Sequence, residues 1–177
     1  MTKHPPADPQ TADFSFSRKI PPGDTRPRDV CEGCGFIAYR NPKILVGAVV
    51  ASGDEILLCR RAIPPRTGFW TMPAGFLEEG ETAEAGARRE IKEEAGVDVE
   101  LGALLAVYSV PHISQIQLIY RAELRGGFVA GPESMECALF KWEALPWDAL
   151  AFPTVHAALK MWHAARGQAQ FAPARTF

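Results

Sequence analysis

The pattern of hydrophobic and polar positions along the chain predicts both strands and helices. The apolar runs "ILVGAVVAS" and "EILLCRR", separated by Gly53 and Asp54, predict two buried strands joined by a turn. The runs "VDVELGALLAVYSV" and "SQIQLIYRAEL" predict the paired long strands of a curved sheet, and "CALFKWE" predicts a further strand. Apolar residues at helical spacing in "TVHAALKMWHAAR" predict a closing amphipathic helix.

A second, central helix is predicted from Ala83 to Ala95. Thr82 is suited to the N-cap because its hydroxyl can accept a backbone hydrogen bond, and Gly96 is suited to the residue that ends the helix. The preceding segment "AIPPRTGFWTMPAGF" is predicted to be a loop because Pro and Gly punctuate it. Strands interrupted by one central and one terminal helix predict an α/β fold, a mixed curved β-sheet sandwiched between helices.

Four parts of the chain differ in composition. Residues 1–29 carry six prolines and few aliphatic side chains, so we expect a largely irregular N-terminal segment. Residues 30–42 are predicted to form a short knuckle or hairpin. Residues 43–166 are predicted to form the main domain, and residues 167–177 a C-terminal tail.

Composition and charge narrow the class of protein. The 177 residues are 47% hydrophobic and 23% charged, which is typical of one globular domain with a real core. The net charge of −2 gives no electrostatic reason to expect nucleic acid or an anionic membrane as partner. No run approaches the roughly 18 apolar residues of a membrane span, and the N-terminal segment lacks the apolar stretch of a signal peptide. We therefore expect a cytoplasmic protein.

The central helix crowds three carboxylates onto one arc. Glu90, Glu93 and Glu94 span about 100° of the helix, and this arc borders the apolar stripe that contains Ile91. Like charges at this spacing repel, and Arg89 can neutralise only part of the excess. One interpretation is a solvated surface rich in charge. The other, which we favour, is a site for a hard divalent cation, because Mg²⁺ and Mn²⁺ prefer oxygen ligands.

The residues around this arc match a longer pattern. The pattern is G-x5-E-x7-R-E-U-x-E-E-x-G-U, where U is a bulky aliphatic residue, and it is filled by Gly75, Glu81, Arg89, Glu90, Ile91, Glu93, Glu94, Gly96 and Val97. The chain therefore resembles the Nudix hydrolases. The resemblance implies the Nudix fold, an α/β/α sandwich, and hydrolysis of a nucleoside diphosphate linked to another moiety with Mg²⁺ or Mn²⁺.

The resemblance also implies roles for individual residues. The implied metal ligands are Gly75, through its carbonyl oxygen, Glu90, Glu93 and Glu94. Glu93 is our first choice for the catalytic base. Arg89 and Glu81 are expected to brace the helix against the loop that precedes it.

Other segments resemble a group of NADH, FAD and ADP-ribose pyrophosphatases. The S-Q-P-W-P-F-P-x-S sequence of the NADH-specific members is absent, so we expect ADP-ribose or a related dinucleotide such as FAD as substrate, with AMP released. The alternatives are an NADH or house-cleaning nucleotide pyrophosphatase and, in another class, a non-catalytic nucleotide-sensing Nudix module. The three intact glutamates argue against the sensing module. Because related pyrophosphatases are commonly homodimers, we also expect a homodimer.

Several side chains are candidates for substrate binding. Either Arg60 or Arg61 is placed to hold phosphates, but adjacent strand residues face opposite ways, and we assign Arg60. Phe69 and Phe76 are candidates for stacking on adenine or flavin. Glu133 is a further candidate for the catalytic base or for a metal ligand. Weaker candidates are Trp70, Tyr108, His112 and Glu136.

The four cysteines fall into two pairs. Cys59 and Cys137 lie inside apolar strand-like runs, where buried, reduced thiols are expected. Cys31 and Cys34 form one C-x-x-C, and "KIPPGDTRPRDVCEGCGF" resembles the second half of the N-terminal zinc ribbon of the pyrophosphatase group. "PQTA" stands where the first cysteine pair is expected, and His4 is the only substitute upstream. A structural zinc needs four ligands, so we expect a degenerate half-ribbon without zinc.

Overall fold

The computed structural model describes residues 15–168 and 171–175. The chain divides into two compact units, Met1–Asn41 and Pro42–Phe177, called here the N-terminal unit and the main unit. No helix of the described residues is long and apolar enough to cross a membrane.

The N-terminal unit contains a three-stranded antiparallel sheet. Its strands, in sheet order, are β1 (Phe16–Lys19), β2 (Arg28–Cys31) and β3 (Ile37–Ala38). The prediction of irregular chain is therefore wrong for Phe16–Lys19 and for residues 28–29, which are strand, whereas residues 20–27 contain no strand. Residues 1–14 lie outside the described part. The prolines misled the prediction because Pro21, Pro22 and Pro27 lie between β1 and β2, where no ladder hydrogen bond needs their missing N–H groups. The hairpin predicted for residues 30–42 corresponds to β2 and β3.

Ion pairs link the strands of this small sheet. The Asp29 carboxylate lies 3.5 Å from an Arg18 nitrogen and 2.8 Å from an Arg40 nitrogen, so it joins β1 to the chain after β3. Asp24, in the turn, accepts a hydrogen bond from Arg28 at 2.7 Å. That bond holds the pKa of Asp24 down at about 2. The sheet thus combines backbone pairing with side-chain charge pairs.

Cys31 and Cys34 lie at the turn between β2 and β3. Cys31 is buried and Cys34 is exposed, and both are free thiols. The backbone N–H groups of Cys34 and Gly33 hydrogen-bond to the Cys31 sulfur and lower the pKa of its thiol. Across residues 15–168 and 171–175, however, no three His, Cys, Asp or Glu side chains are grouped to hold a metal ion. The described residues thus bring two thiols together at this turn, and His4 lies outside the described part.

We predict that the purified protein carries less than stoichiometric zinc. Two thiols supply half of a tetrahedral site, and a structural zinc site normally has all four ligands from protein. Elemental analysis of protein purified without chelator checks this, with Cys31→Ser as the matched variant. One zinc per chain, lost in the variant, would show that the ribbon still binds its metal.

The main unit is built on a seven-stranded mixed sheet. Its five long strands, in sheet order, are β10 (Ser134–Lys141), β5 (Glu55–Arg61), β4 (Lys43–Ser52), β9 (Gln115–Arg125) and β8 (Asp98–Val110). β4 and β9 run parallel, and the other pairs are antiparallel. Two short strands complete the sheet: β6 (Trp70–Thr71) pairs with β5, and β7 (Ala74–Phe76) pairs with β4. They lie inside the segment predicted to be loop. The prediction missed them because strands of two and three residues are too short to show a periodicity.

One helix covers each face of this sheet. α1 (Ala83–Ala95) packs on the face that carries Val46, Ala48 and Val50, and α2 (Pro153–Ala164) packs on the opposite face. Alternate residues of β4 feed the two cores, which is why the whole strand reads as apolar. The predicted α/β/α sandwich is confirmed.

The ends of α1 agree with the sequence pattern. The Thr82 hydroxyl accepts from the Ala85 N–H at 3.2 Å, and Gly96 ends α1 with a φ of 63°. The predicted bounds of α1 are therefore confirmed. The C-terminal tail is tied to β8, because the Val107 N–H donates to the Ala174 carbonyl at 2.8 Å.

Candidate active site

The three glutamates of α1 differ in burial. The Glu94 residue is 7% exposed, whereas the side chain of Glu93 is 57% exposed and that of Glu90 is 12% exposed. α1 thus presents carboxylates that run from its core-facing side outward to solvent. Isolated charges at the buried end are costly unless something neutralises them.

Glu94 is the buried end of this set. It accepts a hydrogen bond from the backbone N–H of Ala74, but its Oε2 atom is buried without a hydrogen-bond partner among the described residues. Burial raises the pKa of Glu94 to about 8, and the nearby Glu90 charge adds to this shift. Buried acceptors are normally satisfied, so this oxygen is available to a ligand that is positively charged.

β7 brings backbone against the next carboxylate. Gly75 pairs with Val46 of β4, and a Cβ atom built on Gly75 would overlap the Glu90 carboxylate. A larger residue at position 75 would displace the Glu90 carboxylate from this place. Burial raises the pKa of Glu90, and the Arg89 hydrogen bond opposes that rise.

Arg89 connects the carboxylates to the loop. Its guanidinium donates to both Glu81 oxygens, at 3.1 and 2.6 Å, to Glu90 at 2.8 Å and to Glu93 at 3.1 Å. It also donates to the Phe76 carbonyl at 3.0 Å. These bonds, above all those to Glu81, raise the pKa of Arg89 well above its ordinary value. The structure therefore brings together Arg89, Glu81 and the glutamates as expected for a brace.

A further carboxylate approaches from the segment before β10. The charge of Glu133 raises the pKa of both Glu90 and Glu94. Two backbone hydrogen bonds hold this segment, from the Gly131 N–H to the Glu94 carbonyl at 2.9 Å and from the Ala62 N–H to the Glu133 carbonyl at 2.8 Å. Glu133 is thus close enough to α1 for its charge to act on Glu90 and Glu94. Glu136, in contrast, pairs with Arg60 at 3.0 Å.

The two arginines at the end of β5 diverge. Arg60 donates to the Gly68 carbonyl at 2.9 Å and pairs with Glu136. Arg61 is the one whose charge lowers the pKa of Glu94, and its guanidinium also binds the Pro65 carbonyl at 2.8 Å. Strand alternation places Arg61 on the same face as Cys59, the face that α1 covers. The sequence indicated that only one arginine faces the site and favoured Arg60, whereas the arginine whose charge acts on Glu94 is Arg61.

The aromatic candidates lie in separate places. The Phe69 ring contacts the Arg66 guanidinium at 5.2 Å. Phe76 is 43% exposed, with the Lys43 ammonium 4.9 Å from its ring centroid, and it borders a surface cavity of about 480 Å³. Because Gly75 faces Glu90, alternation along β7 turns Phe76 to the opposite face of the sheet. Trp70 packs edge-to-face on Phe140, and Tyr108 is buried in the core.

Gly47 is a site-shaping residue that sequence reasoning missed. A Cβ atom at this position would overlap Ala74 and press on the Pro73 carbonyl. Gly47 therefore lets β7 pack against β4. This packing presents the Ala74 N–H of β7 to Glu94. Ala74 and Gly131 were missed for a related reason, since they act through backbone N–H groups that residue type does not reveal.

We predict that Gly47→Ala destabilises the protein by about 1–3 kcal/mol, because the added methyl group meets backbone that cannot move without shifting β7. Denaturant unfolding measures the change. Gly102→Ala is the matched control, since a Cβ atom there meets its nearest neighbour at 3.4 Å and should be tolerated. Equal stability of the two variants would contradict the role given to Gly47.

The charges of the cluster suit a divalent cation. Five carboxylates, those of Glu81, Glu90, Glu93, Glu94 and Glu133, face the two guanidinium groups of Arg89 and Arg61. The excess is negative, and one buried oxygen is unsatisfied. Carboxylate and backbone oxygens are the ligands that Mg²⁺ and Mn²⁺ prefer, so the chemistry of these donors suits such a metal. No three of these side chains converge on one point in the described residues, where Arg89 pairs with Glu90 and Glu93.

Comparisons with known proteins agree with this geometry. Residues 41–164 match the NUDIX domain family, and residues 15–40 match the Nudix N-terminal family. The chain is 43% identical to a NUDIX hydrolase of known structure from Nitrosomonas europaea, with a TM-score of 0.87 and coverage of 93% of this chain and 94% of that one.

Two relatives have names that state an activity. An ADP-ribose pyrophosphatase from Methanocaldococcus jannaschii is 35% identical over 61% of this chain and 67% of its own length. An NAD-capped RNA hydrolase from Stutzerimonas stutzeri is 36% identical over 61% of this chain, and the match spans only 39% of that relative. The NUDIX match covers well over half of the chain, so the family predicted from the sequence is confirmed: the protein belongs to the NUDIX family and is a Nudix hydrolase.

Proposed function

We propose that the protein hydrolyses the pyrophosphate bond of ADP-ribose or a related dinucleotide such as FAD, with Mg²⁺ or Mn²⁺, and releases AMP. The observation that carries the proposal is the unsatisfied, buried Oε2 atom of Glu94 within a cluster of carboxylates. Such a cluster is stable at neutral pH when a cation neutralises it.

We assign a separate role in hydrolysis to each of the site residues. Glu90, Glu93, Glu94 and the Gly75 carbonyl would hold the metal, and Arg89 fixes the first two carboxylates by direct hydrogen bonds. A bound divalent cation supplies charge for the diphosphate oxygens and favours ionisation of water. We assign Glu93 the role of accepting a proton from the attacking water, and the exposure of its side chain to solvent supports this assignment. Glu133 is the second candidate for this role, since its charge is felt by both Glu90 and Glu94.

The substrate is proposed from the relatives and the sequence together. The name of the M. jannaschii relative supports ADP-ribose as the substrate. The name of the S. stutzeri relative supports a substrate that contains NAD. NADH or a house-cleaning nucleotide is the alternative substrate, and it would use the same carboxylates. A non-catalytic sensing module remains the alternative of another class, and the full set of glutamates disfavours it.

A substrate panel tests the proposal. ADP-ribose, FAD, NADH, NAD-capped RNA and an oxidised nucleoside triphosphate are supplied at equal concentration with Mg²⁺ or Mn²⁺, and products are separated chromatographically. We expect AMP from ADP-ribose or FAD at the highest kcat/KM. Equal, slow turnover of every compound would refute the dinucleotide assignment, and binding without turnover would favour the sensing module.

A homodimer and a cytoplasmic location are also proposed, on the basis of related pyrophosphatases and of composition. Mass in solution tests the first of these. Deleting residues 1–14, which ends before β1, then asks whether the N-terminal segment contributes to the substrate site. We expect unchanged turnover; a raised KM together with a fall from dimer to monomer would show that the segment belongs to the site.

A further inference from the structure

Two free cysteines face each other beneath the carboxylate helix. Cys59 of β5 and Cys137 of β10 are directly opposed in the antiparallel ladder. Their sulfur atoms are 3.1 Å apart, and both residues are free thiols. Nothing in the proposed hydrolysis uses either thiol, so the pair calls for a separate explanation.

The thiol pair lies against the last turn of α1. The Cys137 sulfur is 3.5 Å from the Glu94 carbonyl oxygen, and the Cys59 sulfur is 4.0 Å from the same atom. That carbonyl also accepts the Gly131 N–H, the bond that holds the segment before β10. A chemical change at these sulfurs therefore acts on the backbone that positions both Glu94 and Glu133.

The two thiols differ in access to solvent. Cys59 is 1% exposed in the middle of the sheet, whereas Cys137 is only partly buried and sits on β10, the edge strand. A small oxidant from solvent therefore reaches Cys137 first, and Cys59 is the partner that can react with the product.

The backbone geometry allows the two sulfurs to bond. Directly opposed residues of an antiparallel pair have Cα atoms about 4.5–5.5 Å apart, which lies within the usual span of a disulfide, about 4.4–6.8 Å. The sulfurs need to approach by only about 1 Å, from 3.1 Å to a bond of about 2.05 Å. Rotation of the two side chains supplies a movement of that size.

We propose that Cys59 and Cys137 are an oxidation site at which peroxides form a reversible disulfide that protects the end of the carboxylate helix. The Cys137 thiol attacks hydrogen peroxide, the O–O bond breaks, and the thiol proton passes to the leaving hydroxide, so that a sulfenic acid and one water form. Cys59 then attacks the Cys137 sulfur, the S–O bond breaks, and the disulfide and a second water form. Without Cys59, Cys137 would be oxidised further to sulfinic and sulfonic acids, which place a new anion against the Glu94 carbonyl.

Peptide mapping after peroxide treatment tests the proposal directly. Reduced, full-length protein is treated with hydrogen peroxide in stoichiometric steps, blocked with a thiol reagent and digested with trypsin without reductant. Cys59 and Cys137 fall in peptides 44–60 and 126–141, whereas Cys31 and Cys34 share peptide 29–40. We expect peptides 44–60 and 126–141 to be joined with the loss of two hydrogens, and dithiothreitol to separate them.

Two other results of the mapping would overturn the proposal. One is oxygen added to Cys137 without any joined peptides, with fragmentation separating this from oxygen on the exposed Met135. The other is a pair of unmodified thiols at peroxide doses that oxidise peptide 29–40. Both outcomes are read from mass alone, so the failure of the proposed hydrolysis would not affect them.

Substitution of the resolving thiol gives a second test. In Cys59→Ala the same peroxide dose should add two or three oxygens to Cys137 and lower the thermal midpoint, whereas oxidised wild type should keep or raise its midpoint. Cys34→Ala is the matched control and should still form the joined peptides. An equal midpoint shift in oxidised wild type and oxidised Cys59→Ala would show that the pair gives no protection.

Discussion

Glu94→Gln is expected to lower turnover of ADP-ribose by several orders of magnitude, and Glu93→Gln by a comparable amount. Each change removes one anionic oxygen from a cluster that would hold the metal against the developing charge of the diphosphate. Glutamine keeps the size of the side chain, and the loss of a like-charge neighbour on α1 leaves the helix as stable or slightly more stable. The effect should therefore appear in kcat while the unfolding midpoint is preserved.

The matched control is Glu84→Gln. Glu84 lies in the first turn of the same helix and is exposed, and its side chain accepts a hydrogen bond from the Tyr120 hydroxyl at 3.3 Å. It should lose little activity. Initial rates at saturating Mg²⁺ or Mn²⁺ for the three variants decide the matter: near-normal rates in both Glu93→Gln and Glu94→Gln would refute the catalytic assignment of the cluster.

The metal-free protein is expected to lose stability as pH rises from about 5 to about 8. The pKa of Glu94 is raised by burial from an ordinary value of 4.5 to about 8, so the folded protein keeps a proton that the unfolded chain releases. The contribution of Glu94 to the free energy of unfolding is fully present below about pH 4.5. It is lost as pH rises through the pKa of Glu94 in the folded protein. From one such proton the free energy of unfolding falls by about 1.4 kcal/mol per pH unit across that window.

Denaturant unfolding in chelator at pH 5.5, 6.5 and 7.5 measures this slope. The slope should be smaller in Glu94→Gln, because the titrating group is gone while the buried shape is kept. It should also shrink in wild type with saturating Mg²⁺, which binds the ionised carboxylate and so stabilises the folded state at higher pH. A metal-free wild type whose stability rises over this range would contradict the burial of an unneutralised Glu94.

The parts of the fold that the sequence predicted well are those in which many residues contribute to one signal. The bounds of α1 followed from its cap at Thr82 and the glycine at position 96, and the long strands followed from continuous apolar runs. The spacing of the glutamates in α1 indicated the cluster before any geometry was known. Local propensity, periodicity and spacing agree in these segments, and such agreement is what makes a prediction reliable.

The parts that were missed depend on contacts between distant segments. Phe16–Lys19 pairs with Arg28–Cys31 although the composition of this segment suggests irregular chain, because the prolines fall between the two strands. The choice between Arg60 and Arg61 depends on which face of β5 meets α1, and pattern alone does not determine that face. The roles of Gly47 and of the Ala74 N–H depend on how closely β7 approaches β4 and Glu94. Such contacts are set by tertiary packing.

The carboxylates of α1 are proposed to bind the divalent cation on which hydrolysis depends. The most direct test is a Mn²⁺ titration of chelator-treated protein, in which bound metal is measured by electron paramagnetic resonance and ADP-ribose hydrolysis is measured on the same samples. We predict that the rate is negligible without metal, that it rises in proportion to bound Mn²⁺ in wild type and Glu84→Gln, and that binding and rate fall together in Glu90→Gln. Hydrolysis at the full rate in chelator, or unchanged Mn²⁺ binding in Glu90→Gln, would contradict the account.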